Sequence, residues 1–116
     1  MGAPVNHRRM KPRYNPQPNA VEMRHHHRVK LLDCFGCGAP GPSECHHTML
    51  AFEGKRWRRD HRFILPVCPR CHRGRYGIHG IRSEAVWCER NGLDSEAEVK
   101  RLWALSEDAE ARRFAA

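Results

Sequence analysis

Cys34-Phe-Gly-Cys37 and Cys68-Pro-Arg-Cys71 decide how this chain folds, because each pair is a tight CxxC knuckle presenting two thiols to one point. Two such knuckles complete the closed tetrahedral site of a structural zinc, which contributes folding energy directly. A redox pair is the competing use of the motif, but the βαβ pattern that frames one is missing around both knuckles. A chain of 116 residues builds a thin core and gains from such a staple. The polar, basic N-terminal stretch has no apolar h-region, and no apolar run approaches the roughly 20 residues that span a bilayer. The expected setting is a reducing cytoplasm without membrane attachment, where paired cysteines bind metal before they form disulfides. Cys45, beside two histidines, is an alternative ligand, and Cys88, beside Trp87, reads as a small buried residue.

Outward from the knuckles the pattern is strand, loop, strand, short helix. Residues 34–42 are turn chemistry, and residues 44–52 read as a strand. A basic loop follows over 54–62, then a second strand over 63–67 with Pro66 near its end. A helix starts past Cys68 with Pro69 in its first turn, and Gly74 and Gly77 limit its length. Ser83 caps a further helix that stops at Asn91-Gly92. The last helix starts at Asp94 or Ser95, with Ser95 and Glu98 in a capping-box pattern. Its Val99, Leu102, Trp103 and Ser106 form one stripe, and Glu96 and Lys100 pair on the outer face. These two helices are expected to pack the core and carry no chemistry. Residues 21–32 read equally as a short helix or a strand. Pro4, Pro12, Pro16 and Pro18 make residues 1–20 an unstructured arm. The expected division is a basic, disordered arm (1–30), a zinc-stapled core (31–82) and C-terminal helices (83–116).

The formal net charge of +8 is concentrated upstream: residues 1–30 carry seven basic side chains against one acidic, and residues 31–92 ten against six. A polyanionic partner is the natural reading, since neutralised phosphates release counterions. Lys55, Arg56, Arg58, Arg59 and Arg62 flank Trp57, which either stacks on a base or packs under its loop. Arg70 within the second knuckle and Arg73 and Arg75 just after it are expected to contact phosphate beside the presumed metal.

His46 and His47 are neighbours in the first strand, so their side chains leave opposite faces. Either the strand bends or the two have different tasks. A metal-dependent nuclease needs such a division, with one histidine holding the ion and its neighbour acting as general base. The run His25-His26-His27 does not converge on one ion without special geometry, and reads otherwise as a polar or phosphate-contacting surface.

Glu44-Cys-His-His-Thr48, Leu65-Pro-Val-Cys-Pro-Arg-Cys-His72 and Gly77-Ile-His-Gly80 together resemble the HNH, or ββα-metal (His-Me finger), endonucleases. The similarity is closest to small phage and prophage proteins related to the recombination-enhancement nuclease, and it covers about residues 34–105. It implies a small α+β fold, a ββα-metal finger stapled by the four-cysteine zinc. It further implies that His46, His72 and His79 hold a catalytic divalent metal and that His47 deprotonates the attacking water. Many members place the last histidine one helical turn after the Cys-His, where Tyr76 stands here, so His79 reaches the ion only if the helix ends early. Asp60-His61-Arg62 occupies the place of the family's asparagine. There Asp60 can fix the loop, and His61 can hydrogen-bond or assist the metal.

The expected function is a one-metal DNA endonuclease leaving a 5′-phosphate and a 3′-hydroxyl, in phage or prophage recombination or DNA processing near the nucleoid. A three-imidazole set favours manganese or another transition metal over magnesium. A recombinase filament is a partner by resemblance, and the chain acts as a monomer or homodimer. The alternative is a non-catalytic zinc ribbon that binds nucleic acid, and a third class is an interaction protein using zinc only to fold.

Overall fold

The computed structural model describes residues 17–50 and 59–113. Along them run helix α1 (Ala20–Lys30), strands β1 (Glu44–His47) and β2 (Ile64–Val67), and helices α2 (Pro69–Arg73), α3 (Ile78–Ile81), α4 (Glu84–Asn91) and α5 (Ser95–Arg113). The result is a small α+β fold. No helix among the described residues is long and apolar enough to cross a membrane.

β1 and β2 pair antiparallel, with Glu44 opposite Val67 and His47 opposite Ile64. The Thr48 N–H donates to the Phe63 carbonyl at 3.1 Å, which sets the alternation of the ladder. His46 and Leu65 then form a hydrogen-bonded pair, while Cys45 and Pro66 fall between, so the missing N–H of Pro66 costs the ladder nothing. The outward Pro66 carbonyl accepts instead from the Phe35 N–H at 2.7 Å, tying the first knuckle to the sheet.

All four residues of β2 are buried, because helices cover it on several sides. Ile64 packs with Val29 of α1 and Leu102 of α5. Leu65 meets Val99 of α5, with Phe63 and Trp103 alongside. Val67 joins Cys34, Ile78, Trp87 and Cys88 beneath the cysteine knuckles. At about 25 cal/mol per Å² of apolar surface, each such side chain contributes roughly 2 kcal/mol.

Residues 20–30, assigned above to a disordered arm, form a docked helix. Asn19 and Glu22 make a reciprocal capping box at 2.8 and 2.9 Å. His25 and Val29 lie four residues apart on one face, and both are buried. His25 is therefore no surface residue. Its Nε2–H donates to the Arg62 carbonyl at 3.0 Å, and the Ser106 hydroxyl donates to its Nδ1 at 2.6 Å. A histidine used as a core spacer carries no apolar signal, which is why the helix is faint in the sequence. Arg24 and Arg28 clasp Glu110 of α5 at 2.7 and 2.6 Å. α5 starts at Ser95, one of the two expected positions, but its cap differs from the expected Ser95–Glu98 box. Asp94 caps it by accepting from the Ala97 N–H at 3.1 Å, while the Ser95 hydroxyl turns away to Glu84. The arm proper, residues 1–16, and Trp57 with Lys55, Arg56 and Arg58 lie outside the described residues.

Burial, opposed by the bond to the Arg62 carbonyl, lowers His25 from 6.5 to about 4. A histidine that resists protonation in the fold stabilises fully above its unfolded value and loses that contribution as pH falls through the folded one. Stability should therefore decline between pH 6.5 and 4, with His26, His47 and His79, all lowered, acting in the same direction. His25→Gln should reduce the slope of Tm against pH in that window; an unchanged slope would remove His25 as a contributor.

Candidate metal centres

Each cysteine knuckle is shaped by its own backbone. The Gly36 and Cys37 N–H groups donate to Cys34 Sγ at 3.3 and 3.4 Å, and the Cys71 N–H donates to Cys68 Sγ at 3.5 Å. Such bonds favour the thiolate form that a metal requires. The four sulfurs of Cys34, Cys37, Cys68 and Cys71 lie within 4.8 Å of one another and could hold an ion such as zinc. Cys45 stands apart, its thiol directed at the His26 carbonyl at 3.6 Å, and Cys88 is buried in the core. The Cys37 thiol is lowered to about 6, first by a main-chain bond at Ala39 and with help from Arg70, while burial raises Cys71.

The second knuckle is the first turn of α2. Pro69 enters at the start, and the His72 N–H donates to the Cys68 carbonyl at 2.9 Å. α2 ends at Gly74, and the chain then folds back on itself. A Cβ on Gly77 would strike the Cys71 carbonyl, and one on Gly80 would strike the carbonyls of Gly74 and Arg75. Only glycine permits that approach. The reversal sets His79 of α3 beside His72, with ring centroids 4.8 Å apart. His46 from β1 completes a triangle, 5.1 Å from His72 and 5.3 Å from His79. One ring nitrogen from each of the three lies within 4.8 Å of the others.

Carboxylates stand behind two of these rings. Glu84 Oε1 lies 2.9 Å from His46 Nε2 and accepts from the Met49 N–H at 2.8 Å, while its Oε2 accepts from Thr48 and Ser95 hydroxyls at 2.6 Å each. Glu84 is 1% exposed. Burial raises its pKa, but these donors outweigh burial and hold the group below its usual value. Glu44 Oε1 lies 2.8 Å from His72 Nδ1, and Arg73 grips the same carboxylate, holding it at about 2. Ionised carboxylates accept only, so each imidazole donates to its partner. The lone pairs left over are His46 Nδ1 and His72 Nε2. A carboxylate behind a histidine fixes its tautomer and raises its basicity as a metal ligand. His46 is buried and His79 exposed, so the triangle has one solvent-facing edge. Three such residues could hold an ion and leave room on the exposed side for a further ligand.

His47 belongs elsewhere. Its Nε2 lies 2.9 Å from His61 Nδ1, and His26 closes a second triangle with both rings. Burial, then the charges of His61 and His26, lower His47 to about 4. Strand alternation thus sends the two adjacent histidines into separate clusters. The Asp60 carboxylate accepts from the Arg62 N–H at 3.1 Å and from the guanidinium at 2.8 Å.

The arginines are dispersed. Arg59 is exposed. Arg73 is committed to Glu44 and Arg62 to Asp60. Arg70 bonds the Cys37 thiol, and Arg75 lies 5.5 Å from the Tyr76 ring centroid; both line the cleft beside the cysteines. This corrects the expectation that all three arginines after the knuckle crowd the histidine site. Sequence reading also missed Glu84, Ser95 and His26. An acidic residue in a first helical turn normally signals only dipole complementarity, and nothing local marks Glu84 as buried. The C-terminal helices therefore do contribute to the site.

Glu84→Ala leaves four donors facing a cavity, and should cost on the order of 3 kcal/mol in chemical denaturation. Glu84→Gln, nearer in shape, should weaken cobalt binding at His46, His72 and His79 by roughly 10- to 100-fold. Cys71→Ser, or exhaustive chelation, should abolish the cooperative thermal transition; a retained transition would deny the cysteine cluster its folding role. No protein-family model, curated protein or solved structure matches the chain.

Proposed function

We propose that this protein is a metal-dependent DNA endonuclease of the HNH type, with zinc at the four cysteines and a divalent ion at His46, His72 and His79. The observation that carries the reading is the open histidine triangle with carboxylates behind two of its rings, immediately next in sequence to a neutral His47. Two antiparallel strands followed by a short helix, with a ligand from β1 and another from α2, accord with a ββα-metal finger.

A divalent ion bound there supplies charge neutralisation for the scissile phosphate and the leaving oxygen. The chain's own groups do the rest. Glu84 and Glu44 hold His46 and His72 in one tautomer and one orientation. His47 is unprotonated at neutral pH and can take a proton from water, and a nearby phosphodiester charge raises its basicity toward the working range. His61 orients the His47 ring, and Asp60 holds the loop that carries His61. Exposed Arg59, with Lys55, Arg56 and Arg58 in the same basic stretch, supplies sequence-independent phosphate contacts. The imidazole set favours manganese over magnesium.

Supercoiled plasmid offered with manganese to zinc-retaining protein should be nicked, and His47→Ala should lower the rate by about 10²- to 10⁴-fold while preserving the fold. Protein that binds plasmid but leaves it intact with every divalent metal would instead be a zinc-ribbon nucleic-acid binder.

A further inference from the structure

The second histidine triangle has nearly the dimensions of the first. Ring centroids of His26, His47 and His61 are separated by 5.5, 5.4 and 4.9 Å, against 5.1, 5.3 and 4.8 Å for His46, His72 and His79. In both sets one nitrogen per ring lies within 4.8 Å of the other two. Ligands around a tetrahedral zinc at about 2.0–2.1 Å are roughly 3.3 Å apart, so a closure of at most about 1.5 Å, within the reach of side-chain rotation, seats an ion in either.

The second cluster also lacks what a purely structural imidazole cluster would have. His26 Nε2 is buried and has no hydrogen-bond partner among the described residues. Unlike His46 and His72, the His47 and His26 rings have no carboxylate bonded to them among the described residues, so this set should bind an ion more weakly than the first. An orphaned buried nitrogen facing two other imidazoles lacks the partner that buried polar groups normally have. The three rings come from three elements: His26 from α1, His47 from β1 and His61 from the turn ahead of β2. α1 is clamped to α5 by the Arg24 and Arg28 pairs with Glu110, so His26 is held against the other two.

We propose that His26, His47 and His61 form a second transition-metal site whose occupation by zinc takes the lone pair of His47 and silences the nuclease. Binding replaces the His47 Nε2–His61 Nδ1 hydrogen bond: the proton it carries moves through solvent to the far nitrogen of its own ring, and each neutral ring then gives a lone pair to the ion. The same His47 cannot then accept a proton from water. The silencing half of the inference rests on the nuclease reading, and the binding half stands on the geometry alone.

The test starts from protein that keeps zinc at the cysteines but has its histidine sites stripped. Cobalt(II) titrated by calorimetry should bind at two equivalents in wild type, one in His26→Ala and one in His79→Ala. One equivalent in wild type that His26→Ala retains, or two in His26→Ala, overturns the site. Since His26→Ala removes a half-buried ring, a second readout uses wild type alone: cobalt must shift the His26 and His61 ring protons in NMR spectra, and unshifted rings overturn the site equally. Excess zinc should then lower manganese-dependent nicking at least tenfold in wild type, and much less relative to its own zinc-free rate in His26→Ala. Two bound equivalents without that inhibition overturn the silencing. Absence of nicking with every metal removes the nuclease reading, while the titration still decides whether the site exists.

Discussion

The gathering of four sulfurs within 4.8 Å of one another is the constraint on which the rest of the fold depends. As thiolates they would repel, and a cation shared by Cys34, Cys37, Cys68 and Cys71 could balance that charge. Much of the rest follows from where those cysteines sit. The first knuckle is tied to β2 through the Phe35 N–H, and the second is the opening turn of α2. Whatever fixes Cys68 and Cys71 therefore fixes His72, one residue further on.

Histidine serves three different purposes in this small fold, and burial with partner chemistry separates them. His25, with a carbonyl and a hydroxyl on its two nitrogens, is a fully satisfied core residue. His46 and His72 each have a carboxylate behind them, which fixes the ring and would strengthen it as a metal ligand. His26, His47 and His61 cluster together, and burial, then the charges of neighbouring rings, lowers His26 and His47. The side chain is the same throughout, and the second partner decides what each ring can do.

Glu84 links the site to the helical half of the molecule. It lies in the first turn of α4, receives Ser95 from the first turn of α5 and Thr48 from the end of β1, and backs His46. A buried carboxylate is costly unless every lone pair is used, and here four donors use them. The same network that makes Glu84 tolerable also makes the position of His46 depend on helices that touch no ligand.

The sequence by itself determined what local chemistry can encode. The CxxC knuckles, Pro69 opening α2, Ser83 and Gly92 bounding α4, the stripe on α5 and the opposite faces of His46 and His47 are all properties of near neighbours. It could not decide whether residues 21–32 are helix or strand, because His25 occupies the buried position where an apolar residue would have announced the period. The tertiary structure alone decided the partnerships across long separations: Glu84 with His46, Ser106 with His25, and His26 with His61. Hydrogen-bonding side chains carry no periodic signal, and their roles are assigned only when packing excludes water and leaves each polar atom one available partner.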